Sequence, residues 1–232
     1  MASFDPETFK TKYNIAEAAA HLYSQGNGQF YIRDVAAALE MDPAEIFNYF
    51  PNKVSILRFY YASLIIRYES MVSEIEGFNS YTLSEKFSNF AFTLFDMLAE
   101  QEEFVEDTFD KLIVNSCTKT DFEREVERLL KQFLENDSQL SISSSVALND
   151  CSYSFLRRQF LELVRFWLHD DSDNRELTMQ LTDKLTAFLQ ELFYNTVLDK
   201  GADLLKFFNA NRESFFQNIP FLKQICSKIE IR

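Results

Sequence analysis

Apolar residues recur along this chain at the spacing of helix faces almost from end to end. Ile15, Ala18, Ala19, Leu22 and Tyr23 fall at i, i+3, i+4, i+7 and i+8, one stripe of a helix that is expected to stop at Gly26. A short helix is expected over about 32–39. Another opens at Asp42-Pro43, with an aspartate as N-cap and a proline at the first helical position, and runs through Ile46, Phe47 and Phe50 to Pro51. From Asn52 a long helix carries Val54, Leu57, Tyr61, Leu64, Ile65, Tyr68 and Met71 and ends near Gly77.

Further periodic segments cover about 82–100, 102–115 and 120–136. The stretch 137–150 holds Ser138, Ser141, Ser143, Ser144 and Ser145 without a strong helix pattern, and reads as a loop. Two strong helices are expected over about 152–169 and 174–198, and a last one over about 202–216, with a short tail after Pro220. No internal repeat is visible. The expected class is all-α.

Composition agrees with that class. Only 4 glycines and 4 prolines leave too few turns for an all-β protein, and 47% apolar residues supply a core that excludes whole-chain disorder. The 25 phenylalanines imply a heavily packed core or an aromatic-lined cavity.

Cys117, Cys151 and Cys226 are odd in number and far apart, which fits a reducing compartment rather than a disulfide framework. His21 and His169 are equally distant from each other. No metal site and no cofactor are therefore expected. No nucleophile elbow, phosphate-cradling glycine loop or HExxH run appears, and an enzyme is not expected. The N-terminus lacks a basic-then-apolar leader, and the most apolar run, 56–66, contains Arg58 and falls short of a membrane span. The expectation is a cytoplasmic protein that does not enter a membrane. With 23 basic against 36 acidic residues the formal net charge is −13, a poor global signal for nucleic acid.

The first three helices carry the most specific information. Helix, short helix, tight turn, short helix is the spacing of a helix-turn-helix, and Ala36, Ala37 and Ala38 would allow a close crossing. Topology alone leaves three ordinary packed helices equally open. The residues over 26–53, GNGQFYIRDVAAALEMDPAEIFNYFPNK, resemble the signature of the tetracycline-repressor (TetR/AcrR) family without a gap. Gly26, Arg33-Asp34-Val35-Ala36, Ile46, Tyr49-Phe50-Pro51-Asn52-Lys53 and the following Leu57 carry the match, about ten positions in all.

The resemblance implies a helix-turn-helix DNA-binding domain over 1–53 and a larger helical bundle for ligand binding and dimerisation over 54–232. It implies a DNA-binding transcriptional regulator, a repressor by expectation, whose two-fold homodimer binds double-stranded DNA at a palindromic operator and answers to a small-molecule effector. The DNA-binding residues it implies are Tyr31 and Arg33 on the second helix, then Pro43, Ala44, Glu45, Phe47, Asn48 and Tyr49 on the recognition helix, and Lys53. By that resemblance Arg33 would face the major groove from the second helix, and Tyr49 and Lys53 would meet phosphates, Lys53 from the positive end of a long helix.

Several positions depart from the family pattern. Glu40 stands at the turn glycine, Tyr31 at a threonine, Pro43-Ala44-Glu45 at a Lys-Gly-Thr, and Phe47 at a tyrosine. Residues 1–60 hold five basic against seven acidic side chains, where a DNA-binding face is normally positive. The alternative is a helix-turn-helix-fold dimer that has lost operator affinity and works as a ligand- or protein-binding module.

In the body, 152–169 carries one stripe of Leu156, Phe160, Leu163 and Trp167 and a second of Leu161, Val164 and Leu168, a helix buried on two sides. The next helix repeats Leu177, Leu181, Leu185, Phe188, Leu189, Leu192 and Phe193 beside polar Thr182, Asp183, Thr186 and Gln190. Leu156, Phe160, Trp167, Leu181, Leu185, Phe188 and Leu192 are the candidate dimer interface, with an intramolecular core as the other reading. Phe90, Phe95, Phe104, Phe109 and Ile113 are the candidate lining of a chamber for an apolar or aromatic effector, or are simply core. Cys117, near Lys119, is a weak redox candidate. The acidic run over 100–106 reads as a solvated face or a helix junction.

Overall fold

The computed structural model describes residues 5–26, 28–141 and 148–194. The serine-rich stretch from 142 to 147, the end of the helix expected to reach 198, the helix expected over 202–216, the tail and Cys226 lie outside the described residues. Among those described the chain forms nine α-helices and no strand. We number them α1 (Pro6–Gln25), α2 (Ile32–Ala38), α3 (Pro43–Tyr49), α4 (Lys53–Ser73), α5 (Leu83–Ala99), α6 (Glu102–Phe109), α7 (Asp121–Glu135), α8 (Asp150–Leu168) and α9 (Glu176–Tyr194). Two compact units divide them: residues 1–79 with 89–128, and residues 80–88 with those from 129 onward.

In the first unit α1 begins earlier than its apolar stripe shows. Asp5 accepts from the Glu7 backbone N–H at 3.2 Å and the Thr8 hydroxyl at 2.5 Å, with Pro6 behind it, the same start device as Asp42-Pro43. The helix does stop at Gly26, and the glycine there is not a left-handed cap. Gly26 has φ −93°, and a Cβ there would lie 2.0 Å from the Gln29 carbonyl oxygen. Close approach of backbone, not handedness, requires the glycine.

Ile15, Ala16, Ala19 and Ala20 of α1 are buried, as are Val35 and Ala36 of α2 and Ile46 of α3. Between α2 and α3, Glu40 adopts φ 54°, so the left-handed position is occupied by a residue that strains it. A bond from the Met41 N–H to the Ala36 carbonyl, 2.9 Å, holds the turn. Asn52 and Ser55 cap α4 reciprocally, the Ser55 N–H donating to the Asn52 side chain at 2.9 Å. α4 is buried on several sides, yet Val54 and Met71, the two ends of the expected stripe, are exposed.

Tyr61 is the hub of this unit. Its hydroxyl meets the Thr108 hydroxyl at 2.6 Å, and its ring lies 5.6–5.9 Å from those of Tyr60, Phe104, Phe109 and Phe122. α6 does not run on as an α-helix to 115. Residues Asp110–Val114 form a π-turn, closed by the Asn115 N–H on the Asp110 carbonyl at 2.9 Å.

The second unit contains an inversion that the pattern does not announce. The buried residues of α9 are Thr178, Thr182, Thr186 and Phe193, so its threonine stripe faces inward. The reason lies at the start of α5, whose first backbone N–H groups need acceptors. Leu83 N–H donates to the Tyr194 hydroxyl at 3.0 Å and Ser84 N–H to the Gln190 side chain at 3.1 Å. Thr186 completes the seam, 3.2 Å from the Ser84 hydroxyl and 2.8 Å from that of Ser88. Between α8 and α9, Asn174 and Arg175 take φ 48° and 56° in a tight reversal.

Candidate nucleic-acid interface

The candidate DNA-contacting residues divide into a cationic cluster and an exposed helix face. Tyr31, at the N-cap position of α2, makes no side-chain capping bond, and it is 54% exposed. The Arg33 guanidinium carbon lies 5.0 Å from the centre of its ring and the Lys53 ammonium 5.1 Å. Lys53 also stands 5.1 Å from the Phe30 ring and donates to the Phe30 carbonyl. Cation–π contacts at exposed sites contribute about 0.5–1 kcal/mol each, enough to fix where the two cations stand. Arg33 pairs through Nε with Asp34 at 3.2 Å, an exposed contact that solvent screens. Lys12 is drawn elsewhere, to 5.7 Å from the Phe50 and Phe59 rings.

The exposed face belongs to α3. Ile46 is buried, while Pro43, Ala44, Glu45, Phe47 and Asn48 are exposed and Tyr49 is half-buried. Asp42 caps the helix by accepting from the Ala44 N–H at 2.7 Å, and Phe50 N–H closes its end on the Ile46 carbonyl at 3.0 Å. α3 carries no lysine or arginine.

The candidate effector lining is a filled aromatic cluster. Phe90, Phe95, Phe104, Phe109 and Ile113 are each 0–1% exposed. Phe104 sits edge-on to Tyr23 at 5.5 Å and to Tyr60 at 5.1 Å, and Phe109 is 6.2 Å from Phe122. Phe90 lies 5.0 Å from Tyr68, whose hydroxyl donates to Asn89 at 3.0 Å. Phe109 and Ile113 flank and enter the π-turn. Beside the cluster an open polar cleft of about 260 Å³ is lined by Tyr23, Ser24, Gly28, Glu103 and Asp107.

Of the candidate dimer residues, Leu156, Phe160 and Trp167 of α8 are buried within the chain, and Trp167 carries the Arg175 guanidinium 4.1 Å above its ring. Leu181, Leu185, Phe188 and Leu192 of α9 are half-buried, and Leu177 at the head of the same stripe is 56% exposed. Leu177, named with that stripe in the sequence but not among the candidate interface residues, is its most exposed member. Sequence reasoning missed Phe30, whose ring and carbonyl hold Lys53.

Cys117 is exposed, and its basic neighbour Lys119 is engaged by Glu127 at 2.6 Å. Among the described residues no group of three or more His, Cys, Asp or Glu side chains converges to hold a metal ion, and no helix is long and apolar enough to cross a membrane.

The described residues are helical throughout their regular elements, and they open with a helix-turn-helix arrangement of α1, α2 and α3. A family model for the tetracyclin repressor-like C-terminal domain matches residues 86–208, more than half the chain. The chain belongs to the TetR family. Two solved structures share its fold. One is a TetR transcriptional regulator from Nitrosomonas europaea ATCC 19718, with TM-score 0.57 and 21% identity, over 79% of this chain and 98% of that one. The other is a TetR-family transcriptional regulator from Streptomyces coelicolor, with TM-score 0.52 and 14% identity, over 96% of this chain and 97% of that one. No curated protein sequence matches the chain.

Proposed function

We propose that this protein is a transcriptional repressor whose homodimer binds a palindromic operator through residues 1–53 and releases it when a small apolar or aromatic effector enters the remainder of the chain. The observation that carries this reading is the convergence of Arg33 and Lys53 on the exposed ring of Tyr31, flanking an α3 that is capped and exposed. On a chain of net charge −13 Lys53, with Tyr49, supplies phosphate contacts that set register along the duplex, while Arg33 faces the major groove from α2. The outward apolar stripe of α9, from Leu177 to Leu192 and backed by α8, is the surface for a second copy, and two recognition helices about 34–36 Å apart meet successive major grooves. The cluster of Phe90, Phe95, Phe104, Phe109 and Ile113 is the effector site. Its rings must part for a ligand, and the π-turn beside Phe109 is the backbone that gives.

The test is fluorescence anisotropy of the purified protein on the DNA upstream of its own gene and on scrambled duplex, at low and moderate salt. Preferential binding that weakens with salt and is lost in Lys53→Ala supports the reading. A folded dimer with no preference for any duplex sinks it.

A second reading, a head that has given up DNA, is favoured by one observation: both cations already have acidic or carbonyl partners in the chain, Asp34 for Arg33 and the Phe30 carbonyl for Lys53. A protein partner captured by the α3 face in the absence of any duplex affinity would support it.

A further inference from the structure

Two of the seven large apolar side chains exposed on the described surface, Tyr31 and Phe47, fall within the head, and a third, Val54, follows it directly. Phe47 is the most exposed of the three, at 56%, and it stands on the outward face of α3 beside Ala44 and Asn48. The helix beneath it is fixed by the Asp42 cap and by buried Ile46, so the ring is presented from a rigid support.

The chemistry of that face is restricted. Guanine is read in the major groove chiefly by arginine or lysine on O6 and N7, and α3 has neither. What it offers is a phenyl ring, a methyl group, one amide and one carboxylate, with the Pro43 ring at its start and the half-buried Tyr49 phenol at its end. The single apolar group on any base edge in the major groove is the C5-methyl of thymine, and the amide of an asparagine matches N6 and N7 of adenine. Phe47 with Ala44 suits the first and Asn48 the second, and both belong to the same base pair.

We infer that the recognition helix selects A·T pairs by contact of Phe47 with thymine methyl groups, with Asn48 on adenine. The inference rests on the DNA-binding reading above and adds the base class to it. A phosphate contact of Lys53 carries affinity without sequence, and Arg33, on α2, is already paired with Asp34 and stacked on Tyr31, so base readout on the recognition helix falls to Phe47, Ala44 and Asn48.

The experiment selects duplexes from a randomised library with the full-length protein at low salt. The best duplex is then compared with the same duplex carrying uracil for every thymine, which removes the methyl groups and leaves base pairing unchanged. We expect half-sites rich in A·T and a loss of about fourfold in affinity per contacted methyl, the equivalent of one buried methyl group. Phe47→Ala should bind the thymine and uracil duplexes equally, with its melting curve unchanged, since the ring is exposed. Asn48→Ala should keep the methyl dependence and lose the preference for adenine. Sequence-selective binding that ignores uracil substitution overturns the inference and leaves DNA binding standing. No selection of any duplex by the folded protein overturns both.

Discussion

Tyr23, in the last turn of α1, donates its hydroxyl to the Asp107 carboxylate on α6, and Lys111 holds that same carboxylate from one turn further on. Lys111 foremost, and Tyr23 after it, keep Asp107 below the usual carboxylate range. The Tyr23 hydroxyl is pushed up to about 12, by burial first and by Asp107 second. The bond joins two consequential places. Three residues after Tyr23 comes Gly26, whose tight approach to Gln29 leads the chain into Tyr31, while α6 carries Phe104 and Phe109 of the aromatic cluster.

Tyr23→Phe should therefore cost about 1 kcal/mol, the contribution of one hydrogen bond to a charged group on a partly exposed site. The same substitution should speed amide exchange at Gly26 and Gln29 more than in α3. Denaturant melts and hydrogen exchange check this, and unchanged exchange at those two amides would show that the bond does not brace the loop.

Adjacent tyrosines give a prediction of opposite signs. Tyr60 and Tyr61 are both buried, at 1% and 0% exposure. The Tyr61 hydroxyl is bonded to Thr108, whereas that of Tyr60 has no hydrogen-bond partner among the described residues. A buried polar atom left unsatisfied costs about 1–3 kcal/mol. Tyr60→Phe should raise stability by about 1 kcal/mol and Tyr61→Phe lower it by about as much. Chemical denaturation of the two variants decides the matter, and equal destabilisation would contradict it.

What was legible in the sequence was local. Asp42-Pro43 marks the start of α3, Gly26 the end of α1, and the signature over 26–53 fixes the head, including Glu40 at its left-handed turn position. These features depend on residues within a turn of one another. The inward face of α9 was not legible, because periodicity says that two faces differ without saying what each one meets. Thr186 and Gln190 look like a solvated side until the start of α5 is set against them, where Gln190 accepts from the Ser84 N–H and Thr186 meets the Ser84 hydroxyl. The capture of Lys53 by the Phe30 carbonyl is likewise set by a neighbour distant in sequence.

That inversion turns the leucine stripe of α9 away from the threonine seam, and this is the face proposed above for a second copy. Leu177 is far enough into solvent that a charge there disturbs no core, and Leu181 is its neighbour one turn on. Leu177→Glu combined with Leu181→Glu should convert a dimer, at twice the 27.2 kDa chain mass, into a monomer of unchanged helicity. Sedimentation velocity gives the answer. A double variant that remains dimeric would move the interface off this face.

The turn after α8 supplies a dependence on acid. Asp170 accepts from the Ser172 N–H and hydroxyl at 3.0 and 2.6 Å and from the Thr178 N–H and hydroxyl at 2.7 and 2.6 Å. Burial pushes its carboxyl up, but these four donors together outweigh it and hold the group at about 2. A folded value below the unfolded one of about 3.9 means the ionised form is the one that stabilises. Its contribution is complete above about pH 4 and disappears as pH falls towards 2. The four bonds also brace Asn174 and Arg175 in their left-handed conformations. Asp170→Asn keeps one acceptor oxygen of two, and should cost about 1–2 kcal/mol at neutral pH once partial exposure is allowed for. That is a drop of about 2–6 °C in Tm for a chain of this length. Thermal melts of both proteins from pH 7 to pH 2 isolate the effect from every other carboxylate, because only the difference between the two curves belongs to Asp170. The gap should be constant above pH 4 and close below it; a gap that persists unchanged at pH 2 would assign the loss to the shape of the side chain rather than to its charge.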